Sequence, residues 1–249
     1  MKFVALSSVE HRDLRFTPNQ SYLPLRQQML VPLAATECAR MAREGTLVKP
    51  IEQTQICLLA GLDLGQCQYI NDTGHWLGRT PPAMFRLYPF RLADLGEQNY
   101  QVQIDLQAPH WSADGGEPLF TPDGEHAPLM EKVRTALTRV QQDMLKTQQL
   151  TQQLDEAGLW MTQNLVYGKG GAKSAVTGLQ IIDVQKLGAL PAETLLKLHR
   201  SGALALAFAQ ANSLSNLRDG VLAQALGRNP GNDPFDTLDL DGIDWGRLQ

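Results

Sequence analysis

Cysteine is scarce in this chain, and long apolar runs are missing. Of 249 residues only Cys38, Cys57 and Cys67 are cysteine. Their number is odd and no C-x-x-C occurs, so the sequence indicates neither a disulfide framework nor a thiol metal site. Two of them fall within apolar runs, where a thiol packs as a small hydrophobe, and a reducing compartment is expected. No stretch approaches the roughly eighteen consecutive apolar residues of a membrane-spanning helix; the richest is Gly202–Ala211. After Met1-Lys2 only Phe3–Leu6 is apolar before polar residues resume, too short for a signal-peptide core. The expectation is a cytoplasmic protein without membrane insertion.

Net charge is also small, at −4, but it is unevenly placed. Residues 229–249 contain Asp233, Asp236, Asp239, Asp241 and Asp244 against a single base, Arg247. With 22 Lys and Arg and 26 Asp and Glu in the whole chain, the preceding body carries 21 of each and is neutral. A neutral body lacks the basic footprint that phosphate-backbone binding needs, which argues against a nucleic-acid partner. Beyond Gly227, the run Asn229-Pro230-Gly231-Asn232-Asp233-Pro234 breaks all periodicity, and acids then alternate with Phe235, Leu238, Leu240, Ile243 and Trp245. Two parts are expected: a body over residues 1–227 and a disordered acidic tail over 228–249. The tail reads either as a docking segment for a basic, apolar groove on a protein partner or as a solubilising appendage.

Short strands dominate the first half. Phe3–Leu6, Thr46–Ile51, Gln55–Leu62, Gln66–Ile70 and Tyr100–Leu106 have strand character, with Gly61 to Gly65 predicting a hairpin between the third and fourth. One helix is expected to start with Pro32 at its first position and to stop at Gly45. Ala108–Pro128 is a long loop punctuated by Gly and Pro, either functional or tied down by its own side chains. The second half is mostly helical. Leu129, Val133, Leu137, Val140, Met144 and Leu154 recur at helical spacing, so Pro128–Ala157 predicts one amphipathic helix. A strand pair, Trp160–Tyr167 and Thr177–Asp183, precedes two helices, Pro191–Arg200 and Gly202–Leu226. The fold class is therefore α+β, an antiparallel sheet from the first half packed by helices from the second.

Local catalytic signatures are sparse. No G-x-S-x-G and no H-E-x-x-H occurs, and Gly168–Ser174 lacks two of the glycines a phosphate loop needs. No cofactor is called for. His11-Arg12-Asp13 has the H-x-D spacing of iron oxygenases, with His75, His110, His126 or His199 as the distant third ligand, or is a surface turn. Glu37, on the predicted helix among alanines, is expected to be partly buried, and a buried carboxylate needs a partner. Arg86, inside Met84-Phe85-Arg86-Leu87-Tyr88-Pro89-Phe90, is the candidate, and the pair is either a structural ion pair or part of a ligand site.

Six motifs in order carry a resemblance. Val31-Pro32-Leu33-Ala34-Ala35-Thr36-Glu37, Leu59-Ala60-Gly61-Leu62, Gly74-His75-Trp76, Arg86-Leu87-Tyr88-Pro89-Phe90, Gly116-Glu117-Pro118-Leu119-Phe120 and Leu198-His199-Arg200-Ser201-Gly202-Ala203-Leu204 resemble the SapC family over roughly residues 1–220. Where that family carries two arginines before Tyr-Pro-Phe, this chain has Arg86 and then Leu87. The resemblance implies a bacterial accessory protein for handling or modifying surface or secreted polypeptides, and assigns no reaction. The candidate ligand-binding residues are Glu37, His75, Trp76, Arg86 and Tyr88, in a cleft bordered by Ala108–Pro128. The alternatives are an iron-dependent hydroxylase using His11 and Asp13, and a surface-layer structural subunit.

Overall fold

A computed structural model describes residues 1–19, 21–62, 66–97, 99–169 and 172–225, with the side chains of 168, 169, 172 and 173 left aside. The tail residues Phe235, Leu238, Leu240, Ile243 and Trp245, and the body's expected end at 227, lie outside the described residues. The strands are β1 (Phe3–Ala5), β2 (Arg15–Phe16), β3 (Leu30–Pro32), β4 (Leu47–Pro50), β5 (Cys57–Leu59), β6 (Phe90–Asp94), β7 (Tyr100–Asp105), β8 (Trp111–Ser112), β9 (Glu117–Pro118), β10 (Trp160–Lys169) and β11 (Ala172–Ile182). The helices are α1 (Ala35–Met41), α2 (Ala83–Arg86), α3 (Pro128–Glu156), α4 (Val184–Gly188), α5 (Ala192–Ser201), α6 (Ala203–Ser213), α7 (Asn216–Asp219) and α8 (Val221–Ala225). The fold is α+β, with every strand pairing antiparallel.

The five-stranded sheet runs β10-β11-β4-β5-β3, and the alanine-rich α6 packs on it. Ala203, Ala207 and Ala211 are completely buried, because a methyl side chain lets helix and sheet backbones approach closely. Gln210, also completely buried, accepts from Ile182 N at 2.8 Å and donates to Leu47 O at 2.9 Å. It thereby supplies backbone partners for both β4 and β11. A second, smaller core lies under the three-stranded sheet β1-β7-β6, built from Phe90, Ile104, Leu119, Phe120, Leu129, Met130 and Leu137. The long helix α3 joins the two: Leu129, Met130 and Leu137 enter the small core, Leu150 and Leu154 the large one. Between Leu137 and Met144 no residue of α3 is buried.

Several expected elements are corrected. Pro32 does not open a helix but pairs with Cys57 at the sheet's edge strand β3, where a residue without an N–H is tolerated, and α1 starts at Ala35. Gln66–Ile70 is not the hairpin partner of β5, whose two edges are taken by β3 and β4. Ala108–Pro128 is tied down: β8 and β9 flank β2, and Trp111 Nε1 donates to Asp105 O at 2.7 Å. The helix from Gly202 breaks after Ser213, because Asn216 turns its amide onto Ala42 O and Gly45 O, at 2.8 and 3.1 Å.

Replacing Gln210 by Ala leaves a buried N–H and a buried carbonyl without partners, and should cost about 2–4 kcal/mol. Urea unfolding with unchanged slope measures this; a loss under about 1 kcal/mol would show that water or neighbours satisfy both groups.

Candidate functional site

The site grows from one carboxylate. At the third position of α1, Glu37 turns back over the helix start, and its Oε1 accepts from Ala34 N at 3.1 Å. Its Oε2 accepts from Ala83 N, the first residue of α2, at 2.9 Å, so one side chain holds two helix starts together. Only 4% of Glu37 is exposed, and burial pushes its carboxyl upward. The two amides, then Arg40 and Arg86, oppose that shift. Arg40 reaches Glu37 at 3.4 Å, one helical turn on. Arg86 is exposed and attracts Glu37 through space, beyond ion-pair distance. The expected Glu37–Arg86 pair is thus a Glu37–Arg40 pair with Arg86 nearby.

Around this carboxylate opens a cleft of about 390 Å³, walled by α1, α2 and the middle of α3. Two arginines of α1 and α2, Arg40 and Arg86, meet Arg139 of α3 there. Asp143, one turn beyond Arg139, accepts from Thr36 Oγ1 and so ties α3 to α1. Ala34, Ala83, Leu87, Ala136 and Val140 give the cleft apolar walls. Among the described residues, Arg86 and Arg139 have no ion pair within 4.0 Å, whereas both carboxylates are already bonded within the site. The arrangement leaves two guanidinium groups available to an anion. Leu87 stands where a second arginine of the motif would be, and Arg139 brings a second uncommitted guanidinium from another element.

Of the other expected ligand-binding residues, none lines this cleft. His75 is exposed in a turn, with Nδ1 2.8 Å from Thr73 Oγ1. Trp76 stacks on Tyr69 at 5.0 Å and meets Phe85 edge-on at 5.6 Å, so it braces α2 from behind. Tyr88 points into the interior and donates to Asp105 Oδ2 at 2.9 Å. Burial and the Asp105 carboxylate both raise its phenol above the usual range. Nor does Ala108–Pro128 border the cleft; parts of it line a separate hollow of about 680 Å³ with Arg12 and Asp13. His11 is buried and its Nδ1 accepts from Ser7 N at 3.0 Å, while Asp13 is exposed. Among the described residues, no group of three or more His, Cys, Asp or Glu comes together to hold a metal ion. All three cysteines are free and buried, and burial pushes their thiols up, to about 12 for Cys38 and Cys57 and about 11 for Cys67.

Arg40, Arg139 and Asp143 were not singled out in the sequence. Arg40 had a signal, three residues from a buried acid on a helix. Arg139 and Asp143 had only their i,i+4 spacing, which on a long polar helix face is ordinary.

A family model described as SapC matches residues 6–219. No curated protein and no solved structure matches the chain.

Behind Tyr88 lies a second titratable group. His110 is 3% exposed, stacks on Phe16 at 5.7 Å and meets Tyr88 edge-on at 5.3 Å. Its Nδ1 has no partner, and burial lowers its pKa. A folded-state pKa below the unfolded value means that stability is lost as pH falls from about 6.5 toward the folded value. Ring-proton NMR should show His110 titrating below pH 6.5, and His110→Phe should flatten the fall in urea midpoint between about pH 7 and 5. An unchanged midpoint profile in the variant would show that His110 does not govern it.

Proposed function

The chain belongs to the SapC family, and from that premise we propose that it acts by binding, as an accessory protein whose arginine cleft receives a carboxylate-bearing peptide or small ligand. One observation carries the reading: Arg86 and Arg139 face a common cleft uncommitted, while Glu37 and Asp143 are already satisfied. Two guanidinium groups suit a planar carboxylate, and the alanine, valine and leucine walls suit an apolar side chain beside it. A volume of about 390 Å³ falls within the range of small-ligand clefts. Such a ligand agrees with the handling of surface or secreted polypeptides that the resemblance implies, with the peptide's terminal carboxylate as the group recognised. On this reading the protein works in the cytoplasm; no helix of the described residues is long and apolar enough to cross a membrane. A binding role needs no nucleophile, and the three thiols are buried and held protonated.

Calorimetric titration with N-acetyl-Ala-Ala-Leu and with its C-terminal amide tests this. The acid should bind and the amide should bind at least tenfold more weakly, a difference of about 1.4 kcal/mol. Arg86→Gln and Arg139→Gln should each weaken the acid by roughly tenfold, since each removes a charged hydrogen-bond donor. Equal binding of both peptides, or no effect of either substitution, overturns the reading.

A further inference from the structure

The neutral body and the acidic tail set a question of where the tail's charge goes. We propose that the segment from Asp233 to Asp244 of this chain docks into its own arginine cleft, competing there with an incoming carboxylate; the proposal rests on the cleft being the ligand site.

The first support is charge. The body has as many acids as bases, so an uncommitted pair of guanidinium groups is a local excess, and the last 21 residues hold the compensating five Asp against one Arg. The second is pattern. Asp236, Asp239, Asp241 and Asp244 are interleaved with Leu238, Leu240 and Ile243, which suits a cleft lined by arginines together with Ala34, Leu87 and Val140. On the other flank of the same stretch of α3 lies a groove of about 480 Å³ walled by Leu92, Tyr100, Val102 and Leu145, room for the larger Phe235 or Trp245. The third is reach. Asp233 and Asp244 stand eight and nineteen residues beyond Ala225, the last described residue. At about 3.3 Å per residue the chain can span roughly 26 to 63 Å, against a radius of gyration of about 17 Å for a body of this size. Asn216, nine residues before Ala225, donates to Ala42 O and Gly45 O just beyond α1, a wall of the cleft, so that span is enough for the acidic segment to reach it. Tethering then gives the segment an effective concentration on the order of millimolar, so even a weak carboxylate contact competes.

The experiment uses the full chain and a variant with Asp233, Asp236, Asp239, Asp241 and Asp244 all replaced by Asn. N-acetyl-Ala-Ala-Leu should bind the variant about two- to tenfold more tightly, as expected when a competitor of comparable weight is removed. The difference should vanish in ~0.5 M salt, which screens exposed charge pairs. A nitroxide on Gly246→Cys, a position free of competition from the buried native thiols, should broaden the NMR signals of Arg86 and Arg139 in the parent but not in the Asn variant. Equal peptide affinities in parent and variant overturn the proposal while leaving the peptide-binding reading standing. Broadening confined to Leu195 and Leu196, the exposed apolar pair on α5, overturns it too. So does broadening seen only between labelled and isotope-enriched molecules, which would assign the tail to a second copy. If neither protein binds the peptide but Arg86 and Arg139 are still broadened, tail docking survives and the peptide-binding reading does not.

Discussion

One helix serving two cores is the constraint on which the rest of the structure depends. Pro128–Glu156 is too long to lie on a single small core, so its first turns pack under the β1-β7-β6 sheet and its last turns against the five-stranded sheet. Where it crosses from one to the other, from Thr138 to Asp143, none of its residues is fully buried. A helix face without a core beneath it must either be bare or be met by polar groups. Here α1 and α2 meet it, and the cleft is the space left between them.

Glu37 turns that seam into a defined site. Its burial favours the neutral acid, and two backbone amides from two different helix starts and two arginines, Arg40 and Arg86, oppose it. Holding Ala34 and Ala83 through one carboxylate fixes α2 relative to α1, and Trp76 against Phe85 closes the same joint from the apolar side. Arg86, the last residue of α2, is thereby aimed at the seam without a fixed partner. Thr36 and Asp143 perform the matching task between α1 and α3, which brings Arg139 to the opposite wall.

Much of this was legible along the chain. The long helix was visible because its apolar spacing is a local, 3.6-residue signal sustained over eight turns. The β10–β11 hairpin was visible for the same kind of reason, a turn between two β-prone runs, and the structure extends the pairing into the glycine-rich segment, through Gly168 with Lys173 and Lys169 with Ala172. The exchange of Pro32 from helix start to edge strand was not, since a proline fits both places and only the pairing with Cys57 decides between them. Gln66–Ile70 reads like a strand, but β5 had no edge left to offer it. In the site, Glu37 was found from its alanine neighbours and Arg86 from its motif. His75 and Trp76 belonged to the same family motifs, and proximity in a motif does not place side chains on one surface.

By itself the sequence determined the α+β class, the family, the neutral body with its acidic end, and the buried acid that needed partners. These follow from composition and from periodicities that operate over a few residues. Tertiary structure alone decided that Arg86 faces the cleft while Tyr88, two residues later, faces Asp105. Between them α2 ends and the chain turns toward β6, so successive residues of one motif are handed to different faces. It also decided that Arg139, fifty-three residues from Arg86, supplies the cleft's second uncommitted guanidinium. That depends on how α3 lies across two cores, a matter of packing between distant segments that no local pattern encodes.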